Sequence, residues 1–264
     1  MYKLNVPALL AQCTRIKTMI EKIAHDPKYK ENYYARSYHH WQLSPPVQLS
    51  EILKFEERTG VELPIEYVYY LTQVGSGGTS PGTFFSDFKS EWRSYDGLDL
   101  VSEQLCLVMS EEEWEQKFGE HDYPENGTIY LCGMDLTYVA YLIVTGPLRG
   151  RVVYLDYEGD YAPMWPKGCP DFLTWCENFY SELPAGYDIH PTWKFMWQEP
   201  GDTDALIRAF NDQKDRKYQK EVLYSFRKFQ RLSKEAYCFL KNIQHPEFEE
   251  VAAEIIEYFD YKEL

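Results

Sequence analysis

The stretch Gln48–Gly78, QLSEILKFEERTGVELPIEYVYYLTQVGSGG, decides the fold. It reads as two short helices with a break between them. Ser50 is placed to cap the first, whose Ile52, Leu53 and Phe55 are apolar before Gly60 ends it. Val61 and Leu63 pass extended, and Pro64 sits where a proline opens a helix. Ile65, Val68, Tyr69, Leu71 and Thr72 carry one face onward until Gly75. Local propensity, capping and turn chemistry agree throughout, as in a sequence that specifies one structure.

Upstream, residues 5–25 repeat apolar side chains at Leu9, Leu10, Cys13, Ile16, Met19, Ile20 and Ile23, the pattern of an amphipathic helix. Asp26–Gln42 is polar and aromatic, and Ser44-Pro45-Pro46 breaks the chain before the opening stretch. His39 and His40 are adjacent, so they face different ways in either regular element; a structural or surface role is expected. Downstream, GSGGTSPGT follows a helix and lacks the Lys of a phosphate-binding loop. A flexible exit loop is expected there.

Leu98–Leu100 reads as a short strand or the start of a helical region, and Ser110–Glu113 opens a helix to Phe118. Between Asp99 and Glu125 nine acids stand against Lys117 alone, a local charge of −8. Three runs follow, 128–132, 138–144 and 151–155. They are rich in β-branched and aromatic residues and joined by short turns, as in neighbouring antiparallel strands. Asp171 is placed to cap a helix through Phe172, Leu173, Trp175, Cys176 and Phe179 that closes over the sheet. Residues 188–200 read as a Trp- and Pro-rich linker. Segments 203–212, 215–231, 233–243 and 247–260 then each carry an apolar stripe. Nine bases between Arg208 and Lys234 oppose Asp212, Asp215 and Glu221, giving +6, read as a solvated face docked on the acidic body.

The 264 residues carry a net charge of −15, which repels nucleic acid and anionic membranes. Aromatics make up 17% of the chain, in core positions first and at interfaces second. Cys13, Cys106, Cys132, Cys169, Cys176 and Cys238 form no C-x-x-C and pair with no His at metal-ligand spacing, so buried thiols in a reducing compartment are expected. MYKLNVPALLAQ lacks the layout of a signal peptide, and no run is long and apolar enough to span a bilayer. The expected address is the cytoplasm.

No nucleophile elbow, zinc-protease, Rossmann or S-x-x-K motif occurs. Asp156-Tyr157-Glu158-Gly159-Asp160 lacks the ligand pattern of a calcium loop. Carboxylates are plentiful, but nothing in the sequence places two at the mouth of a pocket. The chain is therefore expected to be no enzyme, with no metal and no cofactor.

Leu49-x-x-Ile52-x-x-Phe55-Glu56-x-x-x-Gly60-Val61-x-Leu63-Pro64-x-x-Tyr67, then Tyr70-Leu71 and a Gly-containing exit, resembles the opening of the SUKH superfamily. That superfamily includes bacterial immunity proteins and a yeast cell-wall regulator. The likeness continues through a strand pair joined by a Gly-Pro-x-x-Gly turn, the strand start Gly150-Arg151-Val152-Val153-Tyr154, and a Phe172-Leu173 helix, covering about residues 48–180. The chain departs from it at the GSGG exit and in a long insert, 84–122.

The resemblance implies an α+β fold, a mainly antiparallel twisted sheet with helices packed on one side; the flanking N- and C-terminal helices, read from their apolar stripes, lie outside it. The corresponding divisions are 1–47, a SUKH-like domain over 48–187, and a linker with helical extension over 188–264. It implies a non-catalytic immunity protein that binds and neutralises a cognate, basic toxin domain such as a nuclease. Acidic and aromatic residues beside strand ends are the candidate contacts: Asp135, Asp156, Glu158, Asp160, Tyr161 and Trp165. Alternatives are a scaffold or regulatory interaction module of the same superfamily and, behind it, a hydrolase using unrecognised carboxylates.

Overall fold

The structure, a computed structural model, describes residues 2, 4–30, 35–83, 85–88, 100, 111–118, 126–134, 137–156, 158, 162–185, 187 and 198–262. The fold is α+β, with a three-stranded antiparallel sheet among many helices. The chain divides into two compact units, Met1–Tyr180 and Ser181–Leu264.

The first unit begins with α1 (Pro7–His25), which buries Cys13, Ile16, Ile20 and Ile23 along one stripe. The opening stretch forms α2 (Leu49–Thr59) and α3 (Ile65–Gln73), separated at Gly60, whose φ of 73° stops α2 in the left-handed conformation. Gln48, not Ser50, caps α2. Its backbone N–H donates to Glu51 Oε2 at 3.1 Å, the reciprocal half of a capping box. Leu53 lies on the exposed side, because Ile52 and Phe55 alone point inward at helical spacing. The break is pinned by Glu56, whose Oε1 accepts the Leu63 N–H at 2.7 Å and also meets the Tyr2 hydroxyl.

Behind α3 an aromatic cluster forms the core. Tyr67, Tyr70, Phe85, Phe172 and Trp175 meet with ring centroids 5.0–6.0 Å apart, mostly edge to face or tilted. His39 closes a π-helical turn, Ala35–His39, and is buried. Its Nδ1 accepts the Trp41 N–H at 3.0 Å, while Trp41 Nε1 donates to the Tyr29 carbonyl at 2.9 Å. These bonds hold His40 and Trp41 at φ of 50° and 56°, a conformation that strains non-glycine residues. The role of His39 is structural.

The loop after α3 overturns the expectation of flexibility. Gly75, Ser76, Gly77, Thr79 and Ser80 are buried. Ser44 N donates to Gly77 O, Thr79 N to Gln42 O, and Gly78 and Phe85 exchange both backbone bonds. The glycines are there for close approach. A Cβ on Gly78 would lie 2.2 Å from Gln42 O, and one on Gly82 only 1.9 Å from Gly133 O.

β1 (Thr128–Gly133), β2 (Tyr138–Ile143) and β3 (Val152–Asp156) form an antiparallel meander in the order β1-β2-β3. Its register slips between Tyr130 and Cys132, the mark of a β-bulge. Tyr141, Ile143, Val153 and Leu155 cluster on one face. On the other, the Tyr154 hydroxyl accepts Trp175 Nε1–H at 2.7 Å from α5 (Phe172–Glu182). Asp171 caps α5 as expected, Oδ1 accepting Thr174 N at 2.8 Å. Between α3 and β1, α4 (Glu111–Phe118) buries Trp114. Of the acidic run only the α4 part is described, where Glu112 and Glu113 are exposed; most of the rest of 84–127, including all but Leu100 of the Leu98–Leu100 segment, lies outside the described residues.

The second unit is helical. It contains α6 (Thr203–Asp212), α7 (Arg216–Tyr224) with a 3₁₀ extension Ser225–Lys228, α8 (Lys234–Lys241) and α9 (Pro246–Lys262). Asp202, Asp215 and Ser233 cap α6, α7 and α8 through side-chain oxygens. Phe210, Phe226, Phe239 and Phe248 join the helices through ring contacts of 5.3–6.0 Å. Cys238 is exposed rather than buried, because α8 turns Ala236 and Leu240 inward instead.

Lys228, one of the bases in the locally positive run, is not on a solvated face. Its Nζ lies 3.3 Å from Glu182 Oε1, donates to Glu199 O at 2.7 Å and sits 4.5 Å from the Tyr187 ring centre. Burial pushes the Lys228 pKa down, with Glu182 opposing, and pushes the Glu182 carboxyl up, with Lys228 opposing. For both groups burial is the largest influence.

Candidate partner-binding groove

The candidate surface is organised by the way the chain doubles back after β3. Tyr154 and Met164 exchange both backbone hydrogen bonds, each at 2.9 Å, so the segment from Ala162 runs antiparallel beside β3. Moving one residue from that pair sets Trp165 beside Val153, toward the strand's start. At about 3.3 Å per residue, Trp165 is roughly 10 Å along the strand from the Asp156 end.

The expected contact residues therefore separate. Asp156, last in β3, is 2% exposed and belongs to the strand end rather than to the surface. Glu158 is exposed beyond it, with its N–H 3.4 Å from Asp156 Oδ1. Trp165 is half-buried at the other end of the strand. Asp135, Asp160 and Tyr161 lie outside the described residues.

Trp165 instead joins a residue that the sequence marked only as a strand start. The Arg151 guanidinium carbon stands 4.4 Å from the Trp165 ring centre, the distance of a cation–π contact. Together with Pro166, Lys167, Cys169 and Pro170 they line a groove of about 540 Å³. Gly168, at φ 67°, makes the turn that forms its wall. The Arg151 Nε is buried and has no hydrogen-bond acceptor. Among the described residues no carboxylate pairs with Arg151. Electrostatically this end of β3 is basic and aromatic, whereas the Asp156–Glu158 end is acidic. No spacing in the sequence announces the Arg151–Trp165 pair, since it exists only once the chain after Asp156 folds back.

Among the described residues, no group of three or more His, Cys, Asp or Glu side chains could hold a metal ion. None of their helices is long and apolar enough to cross a membrane. Comparison with known proteins returned no matching family model, no matching curated protein and no matching solved structure.

Proposed function

We propose that the chain is a non-catalytic binding protein of SUKH type, an immunity protein that neutralises a cognate toxin domain. The observation that supports this reading is where the motifs of the resemblance meet. Arg149, in the Gly146–Gly150 turn, donates from Nε and Nη2 to Glu62 O at 3.1 and 2.9 Å and from Nη2 to Leu63 O at 2.7 Å. Those carbonyls belong to the Val61–Pro64 break between α2 and α3. Gly150, at φ 93°, then accepts the Phe172 N–H at 3.1 Å, where the closing helix begins. Three short motifs far apart in sequence thus form one hydrogen-bonded junction.

The net charge of −15 suits a partner with a basic active surface, because opposite charge speeds encounter and excludes wrong partners. Glu158 and Trp165, with Asp135, Asp160 and Tyr161, are the proposed contacts; Asp156 is buried at the end of β3. The cytoplasm of the toxin-producing cell is the compartment this role requires. The test is to look for a toxin domain encoded beside the chain's own gene, whose absence contradicts the proposal, and to co-express the two. Restored growth is the expected result; continued killing at equal expression contradicts the proposal.

A further inference from the structure

We infer that the Arg151–Trp165 groove is a recognition site for a single carboxylate on a short peptide segment of a partner. The inference stands independently of the immunity reading. It begins with an anomaly of charge. The chain holds 42 acids against 27 bases, yet among the described residues Arg151 is paired with none of the acids. Its Nε is buried without an acceptor, so the donors open to a partner are the two terminal nitrogens of the guanidinium.

The chemistry of the missing group follows from the guanidinium. The Trp165 ring, 4.4 Å from the guanidinium carbon, restrains the fork and leaves the end that carries the two terminal nitrogens to be matched. The acceptor that fits that end is planar with two oxygens, a carboxylate. Trp165, Pro166 and Pro170 provide apolar walls, so the carboxylate is best presented beside an apolar side chain. About 540 Å³ is room for a few side chains rather than a folded domain.

Two other modes of binding are disfavoured. Pro163 and Pro166 flank Trp165 and lack N–H groups, so this edge cannot extend a hydrogen-bonded ladder, and recognition runs through side chains. A polyanion such as nucleic acid meets the repulsion of the whole −15 chain. A lone carboxylate engages at contact range, where a partly desolvated pair is screened far less than the remote charges.

The experiment is selection of short random peptides on the full chain, on Arg151→Gln and on Arg151→Lys. Circular dichroism and melting establish that each variant is folded. On the natural chain, recovered peptides carry one Asp or Glu beside an apolar residue. Converting that acid to its amide, or Arg151 to Gln, weakens binding by about tenfold or more, as loss of a charge-assisted pair implies. Arg151→Lys, which keeps the charge but not the fork, falls in between. The bound peptide shifts an indole N–H resonance that disappears in Trp165→Phe. Recovery of no peptide, of peptides without an acid, or of the same peptides on Arg151→Gln overturns the inference. So does displacement of the peptide by inorganic phosphate at lower concentration than by acetate, which assigns the groove to phosphate instead.

Discussion

The two units bury polarity in different ways. In the first, the buried polar material is mostly uncharged backbone: Gly75–Gly82 threads past Gln42–Ser44, Phe85 and Gly133 with its hydrogen bonds made. In the second, it is a charge pair, Lys228 with Glu182, held by a carbonyl and an aromatic ring. The first solution depends on shape, because an added methyl has nowhere to go. The second depends on pairing, because each charge is tolerated only while the other is present.

The sharpest way to break this contrast is Lys228→Met, which leaves Glu182 buried and unpaired. It is expected to cost about 3–5 kcal/mol in chemical unfolding followed by circular dichroism. Adding Glu182→Leu should recover most of that loss or exceed it. A double variant as unstable as the single would show that the pair contributes something beyond mutual neutralisation.

The first unit also buries ionisable side chains, Asp156 at the end of β3 and the His39 ring, and His39 gives the next largest effect. Burial, reinforced by His40, pushes its pKa down to about 4 from an ordinary 6.5. The unfolded chain therefore takes up the proton first as pH falls. Stability is intact above about pH 6.5 and declines toward pH 4, where the loss reaches about 3 kcal/mol. His39→Asn, which keeps an acceptor for Trp41 N–H, should flatten that portion of the pH profile.

Gly82→Ala tests the shape argument directly. The new methyl would meet Gly133 O, and a loss of about 1–3 kcal/mol is expected, at the upper end because the obstacle is backbone. An unchanged melting curve would mean that the loop yields after all. Smallest is Arg149→Ala, which removes exposed bonds to Glu62 O and a part-buried one to Leu63 O at the motif junction; about 1 kcal/mol is expected.

Helices and strands were legible where one period dominated. The stripes at 203–212 and 233–243 became α6 and α8, and the β-branched runs became the meander. Asp171 could be assigned as a cap because capping is local. The failures share a cause. Gly77 and Gly78 read as flexible because a glycine needed for close approach looks the same in sequence as one needed for freedom. The distinguishing atoms are on Gln42 and Asp87. Lys228 read as solvated because its partners, Glu182 and Tyr187, lie over forty residues upstream. Asp156 read as a surface acid because strand burial, not residue type, decides exposure there. At the candidate site, Trp165 was singled out from its neighbourhood, but Arg151 was not, since their contact depends on the fold-back sealed by Tyr154 and Met164.

The most direct test of the binding proposal is titration calorimetry of the purified chain against a purified toxin domain found by inspecting the genes beside its own. The same titration is run with Glu158→Lys and Asp160→Lys combined. A saturable complex of fixed stoichiometry, weakened by the charge reversal and by added salt, is the predicted result. No heat of binding between two folded proteins would contradict it.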